Sequence, residues 1–166
     1  MKLMIGQVTG FHGLKGELKI LSDINLKEKV FKIGNILEIN NKNLIIKTYR
    51  IHKKYDLISF ENYEDINLIE DFFNKEVFVD KNNLDLKEKE YLEIELIGFK
   101  VYENDLFLGK VIDIQKSISY NYIVINNSFL IPLIKEYIID VNLKEKVIKT
   151  KDAKYLNFKE SDENEN

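Results

Sequence analysis

The sequence contains no cysteine. That excludes disulfides, thiolate metal sites and a thiol nucleophile. It has one proline, Pro132, one alanine, Ala153, and one arginine, Arg50. Its two histidines, His12 and His52, have no Cys and no second His at ligand spacing, which leaves no zinc motif. No apolar run approaches the ~18 residues that span a bilayer, and nothing after Met1-Lys2 reads as a signal peptide. A Ser-centred nucleophile elbow is also absent. The carboxylate pairs Glu88-x-Glu90 and Glu93-x-Glu95 lie in a polar stretch, where acids are solvated and have no reason for a raised pKa. The expectation is a non-enzymatic, cytoplasmic protein with no catalytic residues, no cofactor, no metal and no membrane partner.

What is present is charge in near balance and enough apolar residues for a core. The apolar fraction is 45% and the net charge −3. Residues 1–80 carry 12 basic and 12 acidic side chains, and residues 81–157 again 12 and 12. The imbalance lies in the last nine residues, 158–166, with one Lys against four acids. A neutral body argues against indiscriminate nucleic-acid binding, which needs a basic field. It suits a protein that docks mainly on another protein.

Four of the seven glycines fall in Gly6–Gly16. Crowded glycines point to a tightly folded loop between two strands, Met4–Thr9 and Glu17–Leu21. It is no phosphate cradle, because Gly16 opens an alternating strand rather than a helix. Two readings stand: a strained hairpin tip at a barrel mouth, or a ligand loop.

Strand patterns dominate the rest. Leu18, Ile20, Leu37, Ile39, Ile58 and Phe60 alternate with polar neighbours and are expected inside. Asn40–Asn43 reads as a hairpin turn, since Asn accepts the left-handed region. A long β-prone stretch follows, Leu44–Tyr55. The spacing of Ile66, Ile69 and Phe73, with Phe72 beside them, predicts a helix over Tyr63–Phe73 capped by Asn62 and stopped at Asn74. Beyond the polar connector Asp80–Glu90, where Leu84 and Leu86 can pin the chain, come Phe99–Tyr102, Leu108–Gln115, Tyr122–Ile125 and Ser128–Ile131. Asn126-Asn127 fits a two-residue turn, Gly109 a bulge, and Pro132 a strand end. Tyr137–Asn142 and Val147–Lys149 finish the run. Many short strands with regular turns imply two small barrels, an all-β fold. The division expected is 1–80, a linker at 81–92, a second barrel at 93–157 and a disordered acidic tail at 158–166.

Three stretches carry a family resemblance. Gly6-x-Val8-x-x-x-His12-Gly13-Leu14-Lys15-Gly16-Glu17 resembles the opening of the RimM family of ribosome maturation factors. Tyr91 followed by Leu96-Ile97-Gly98-Phe99-x-Val101 resembles the start of its second domain. Leu130-Ile131-Pro132-Leu133 with Val141-Asn142-Leu143 and Ile148 resembles its C-terminal signature. The resemblance implies an elongation-factor-like six-stranded barrel, then a PRC-type barrel. It further implies a monomeric assembly factor of the small ribosomal subunit that binds head protein nineteen and assists 16S rRNA processing. In the family an adjacent aromatic pair contacts that protein; this chain has Tyr91 but Leu92 in the second place. Partner contacts are therefore expected at Tyr91, Leu92, Leu96 and Gly98, although Tyr91 can equally be a junction packing residue. The stretch Lys47–Tyr55, within a span from Lys42 to Tyr55 that holds no acid, is the best candidate for rRNA, through Arg50, His52, Lys53 and Lys54, with His12 and Lys15 as further contacts. As one strand it would put Arg50, His52 and Lys54 on one face. The bland alternative is an edge hairpin kept soluble by lysines. The rival function is an RNA-binding, translation-factor-like module that acts without a protein partner.

Overall fold

The computed structural model describes residues 1–126 and 129–156. They divide into two compact units, Met1–Leu92 and the chain from Glu93 onward. The expected acidic tail and the Asn127 half of the second hairpin turn lie outside the described residues.

The first unit contains β1 (Lys2–His12), β2 (Glu17–Leu21), α1 (Lys27–Val30), β3 (Ile36–Ile39), β4 (Lys42–His52), β5 (Tyr55–Phe60), α2 (Ile66–Ile69) and β6 (Glu76–Asp80). Its six strands close into a barrel in the order β1-β2-β5-β4-β3-β6. Closure leaves no strand edge unpaired, which removes the usual route to edge-to-edge aggregation. The alternating residues Leu18, Ile20, Leu37, Ile39, Ile58 and Phe60 all point inward with no exposed surface. Asn40 and Asn41 make the β3–β4 turn with φ of 53° and 61°, as their side chains suggest. The four-residue α1 is a feature that no periodicity announces. It places Val30 and Phe31 in the core, the Phe31 ring 5.2 Å from that of Tyr49.

Two expectations need correction here. The glycines do not form one loop. Gly6 and Gly10 sit within β1, each beside a register shift, and only residues 13–16 make the connection. β1 pairs with β6 along its first half and β2 along its second, so it must bend, and bulges supply the bend. At Gly6 a Cβ would stand 2.6 Å from the Leu21 carbonyl oxygen, which is why no side chain fits.

The helix is also shorter than its pattern. It starts at Asp65, whose carboxylate accepts the Asn67 amide at 2.8 Å, and not at Asn62, which is left-handed at φ 69°. From Glu70 it tightens into a 3-10 turn, Glu70–Phe72. With three residues per turn, Ile69 lines up with Phe72 and not with Phe73. Phe72 is buried accordingly, while Phe73 is 49% exposed and leans on Phe11 at 6.2 Å. Asn74 ends the segment at φ 61°.

The stretch 81–92 groups with the first unit. A 3-10 turn at Lys81–Asn83 is capped by Asp80, Lys81 donates its amide to the Met1 carbonyl, and Leu84 is buried. Further on, Lys29 Nζ meets Glu90 Oε1 at 2.5 Å, and Asn25 Nδ2 donates to the Tyr91 carbonyl at 2.9 Å.

The second unit opens with a 3-10 turn, Glu93–Leu96, followed by β7 (Lys100–Glu103), β8 (Leu106–Gln115), β9 (Tyr122–Ile125), β10 (Phe129–Pro132), β11 (Ile138–Asn142) and β12 (Val147–Thr150). They form a six-stranded sheet, β10-β9-β8-β7-β12-β11, around a core of Leu96, Val101, Ile123, Ile125, Ile131 and Ile148. β12 and β7 run parallel, against the antiparallel habit of the other pairs. Gly109 lies at a bulge, at φ 142°. Pro132 closes β10, an edge strand, where its missing donor costs nothing. Buried Glu103 accepts the Ala153 and Lys154 amides through Oε1, at 2.7 and 3.3 Å, and so tethers the 3-10 turn Ala153–Tyr155.

Candidate functional site

The outer face of the β1-β2-β5-β4 side of the barrel gathers most of the basic side chains singled out by sequence. β4 ends at His52, Lys53 turns the chain with φ 57°, and β5 begins at Tyr55. Lys54 therefore belongs to a turn. The expectation of a single strand presenting Arg50, His52 and Lys54 on one face is corrected: Arg50 and His52 share the outer face, opposite Leu57 and Tyr55, and Lys54 sits at the tip.

Arg50 is not a free cation. Its Nε and Nη2 donate to the two carboxylate oxygens of Glu17, each at 2.9 Å. A planar fork against a carboxylate is the geometry that guanidinium chemistry favours. The Arg50 hydrogen bonds hold the Glu17 carboxyl below the usual range against the opposing effect of burial; the charge of Arg50 and the two histidines adds to this. Lys19 and Lys54 each lie 5.5 Å from the centre of the Tyr55 ring. His12, at the end of β1, brings its ring within 5.2 Å of His52. Burial of the His52 imidazole pushes its pKa down, and His12, Lys53, Arg50 and Lys19 push the same way. Among the described residues no group of three or more His, Cys, Asp or Glu is placed to hold a metal ion.

Lys15 lies apart from the hairpin tip. It borders a cleft of about 430 Å³ with Glu17, Lys47, Thr48, Ser59 and Glu64. Lys47 and Glu64 pair at 2.5 Å across it, and the Thr48 and Ser59 hydroxyls bond to each other. The loop that carries Lys15 is anchored by Gly16: at φ 86°, a Cβ there would stand 2.2 Å from the Tyr63 carbonyl oxygen.

The residues expected to meet a protein partner have different surroundings. Tyr91 is half-buried and Gly98 is exposed with φ 93°. Leu92 and Leu96 have no exposed surface. Burial is the commonest fate of a leucine beside a strand, and it leaves these two side chains no exposed surface in this structure for the expected partner contact.

Residues 3–84 match the RimM N-terminal domain, and residues 93–156 match the RimM PRC barrel domain. The chain belongs to the RimM family. A ribosome maturation factor RimM from Exiguobacterium is 34% identical over 158 residues, covering 88% of this chain and 92% of the relative. Its counterpart from Staphylococcus haemolyticus is 28% identical, covering 90% and 95%. Among solved structures, a RimM from Pseudomonas aeruginosa is 17% identical, with a TM-score of 0.45, covering 90% of this chain and 96% of that one.

Within this RimM chain, sequence reasoning missed Lys19 and Glu17 as parts of the basic face, and missed that Lys47 pairs with Glu64. Lys19 could have been found, since the alternation that buries Leu18 and Ile20 sends it outward. The pairing of His12 with His52 carries no local signal, because 40 residues and two strands separate them.

Proposed function

We propose that the protein is a non-enzymatic, cytoplasmic maturation factor of the small ribosomal subunit. Membership of the RimM family along both units carries this reading, together with relatives that bear the name ribosome maturation factor. No helix among the described residues is long and apolar enough to cross a membrane. The first barrel meets 16S rRNA through the cationic hairpin face, His12, His52, Lys53 and Lys54, with Lys15 beside the cleft. The second unit and Tyr91 engage head protein nineteen, with Tyr91 and Gly98 offering the reachable surface. Its effect is one of binding: it stabilises one assembly conformation by higher affinity for it.

The lysine-tipped hairpin also favours the rival, an RNA-binding module without a protein partner. Pull-down from nuclease-treated lysate separates the two. Recovery of head protein nineteen after RNA digestion supports the two-partner reading; loss of every ribosomal protein on digestion leaves the RNA-binding module.

A further inference from the structure

The chain has two histidines, and the fold sets them face to face. His12 ends β1 and His52 ends β4, with β2 and β5 between them. Three strand spacings of about 4.8 Å would hold β1 and β4 roughly 14 Å apart on a flat sheet. Rings 5.2 Å apart require the sheet to curl over its outer face at this end. Register shifts at Val8/Gly10 in β1 and at Ile46/Thr48 in β4 supply that curl. The pair is therefore built by the barrel rather than by a loop.

Its surroundings are cationic. Lys53 comes from the hairpin turn, Lys54 from its tip, Lys19 from β2 and Arg50 from β4. Tyr55 of β5 carries Lys19 and Lys54 on its ring. Glu17 of β2 is the carboxylate that faces both imidazoles, and Arg50 occupies both of its oxygens. Burial, a second imidazole and the surrounding cations make His52 resist protonation unless an anion joins them.

We propose that the His12–His52 pair, completed by Lys53, is a phosphodiester site for an RNA backbone, and that it takes up protons as it fills. The phosphate sits on the solvent side of the two rings and accepts a hydrogen bond from each. A neutral imidazole offers one N–H, whereas the protonated ring adds a charge and a second donor. The anion thus favours the protonated rings, and RNA affinity rises as pH falls from 8 to 6. Imidazole is the side-chain type here whose ordinary titration falls in that window, and Glu17, held low by Arg50, stays ionised through it.

This inference rests on the rRNA contact proposed for the first barrel. With two histidines in the chain, the proton spectrum of the full-length protein contains two imidazole C2–H resonances to follow. The probes are hexauridylate and, at matched ionic strength, inorganic phosphate. Hexauridylate is expected to raise both histidine titration curves by about one pH unit, equivalent to a tenfold gain in affinity per ring. His12→Gln/His52→Gln is expected to bind the RNA more weakly and with no pH dependence between 6 and 8. Should that variant fail to fold, the wild-type titrations decide alone. Unmoved resonances overturn the site; an equal shift with inorganic phosphate overturns its assignment to RNA. Co-sedimentation with small subunits at pH 8 keeps the two readings apart. Binding there with unmoved histidines refutes only the phosphodiester site, whereas no binding at any pH refutes the proposed function.

Discussion

Replacing Lys27 by methionine removes the cation from a carboxylate that has no exposed surface. Asp56 lies on β5, in register with Ile20 and Ile51, and points into the barrel. Lys27 Nζ donates to its Oδ2 at 2.8 Å and the Tyr49 hydroxyl to its Oδ1 at 2.7 Å. Breaking a buried ion pair from one side costs about 3–5 kcal/mol, because the remaining charge is stranded. Here Lys27 is itself 29% exposed, so water partly replaces it, and Tyr49 still donates. The expected loss is therefore about 2–3 kcal/mol. For a unit of this size that lowers Tm by roughly 10–20 °C. Thermal and urea unfolding followed through the amide signals of β5 report the first unit alone. A second substitution, Asp56→Asn, removes the stranded charge, so the double variant should lose less than the two single losses added together. A Lys27→Met chain within about 0.5 kcal/mol of wild type would refute the argument, since surface substitutions fall in that range. The same cluster predicts a pH response. Burial, and then the bond to Asp56, raise the Tyr49 phenol above its ordinary value. The unfolded chain ionises first, so stability is unaffected below about pH 10 and falls as pH rises beyond it.

Three further outcomes are expected. Gly16→Ala meets the Tyr63 carbonyl and a left-handed φ together, and should cost about 1–3 kcal/mol, read from the urea midpoint; a neutral result would mean the loop relaxes freely. Lys53→Glu/Lys54→Glu should weaken small-subunit binding and lower the salt slope by about 0.7–0.9 for each phosphate no longer neutralised, with no change in melting; an unchanged slope returns the hairpin to a solvated tip. Tyr91→Ala should cost about 1–4 kcal/mol of binding to head protein nineteen in calorimetry. Leu92→Ala, being a core truncation, should instead cost about 2–5 kcal/mol of stability, and the reverse pattern would exchange their roles.

Sequence alone determined whatever depends on neighbours a few residues apart. Alternation along a strand fixes which side chains face inward, so Leu18, Ile20, Leu37 and Ile39 were legible. Asparagine at a turn, glycine at a bulge and proline at a strand end act through their own backbone energetics, so Asn40-Asn41, Gly109 and Pro132 were legible too. The family motifs are equally local. Only the tertiary structure decided what depends on closure and curvature. The Glu17–Arg50 fork, the Lys27–Asp56 pair and the His12–His52 contact join residues 29 to 40 positions apart. Their meeting requires a particular register between strands, and bulges in β1 and β4 set that register. Leu92 and Phe73 show the same limit from the other side. Each is apolar and well placed to be either core or surface, and the fold buries the first and leaves the second 49% exposed.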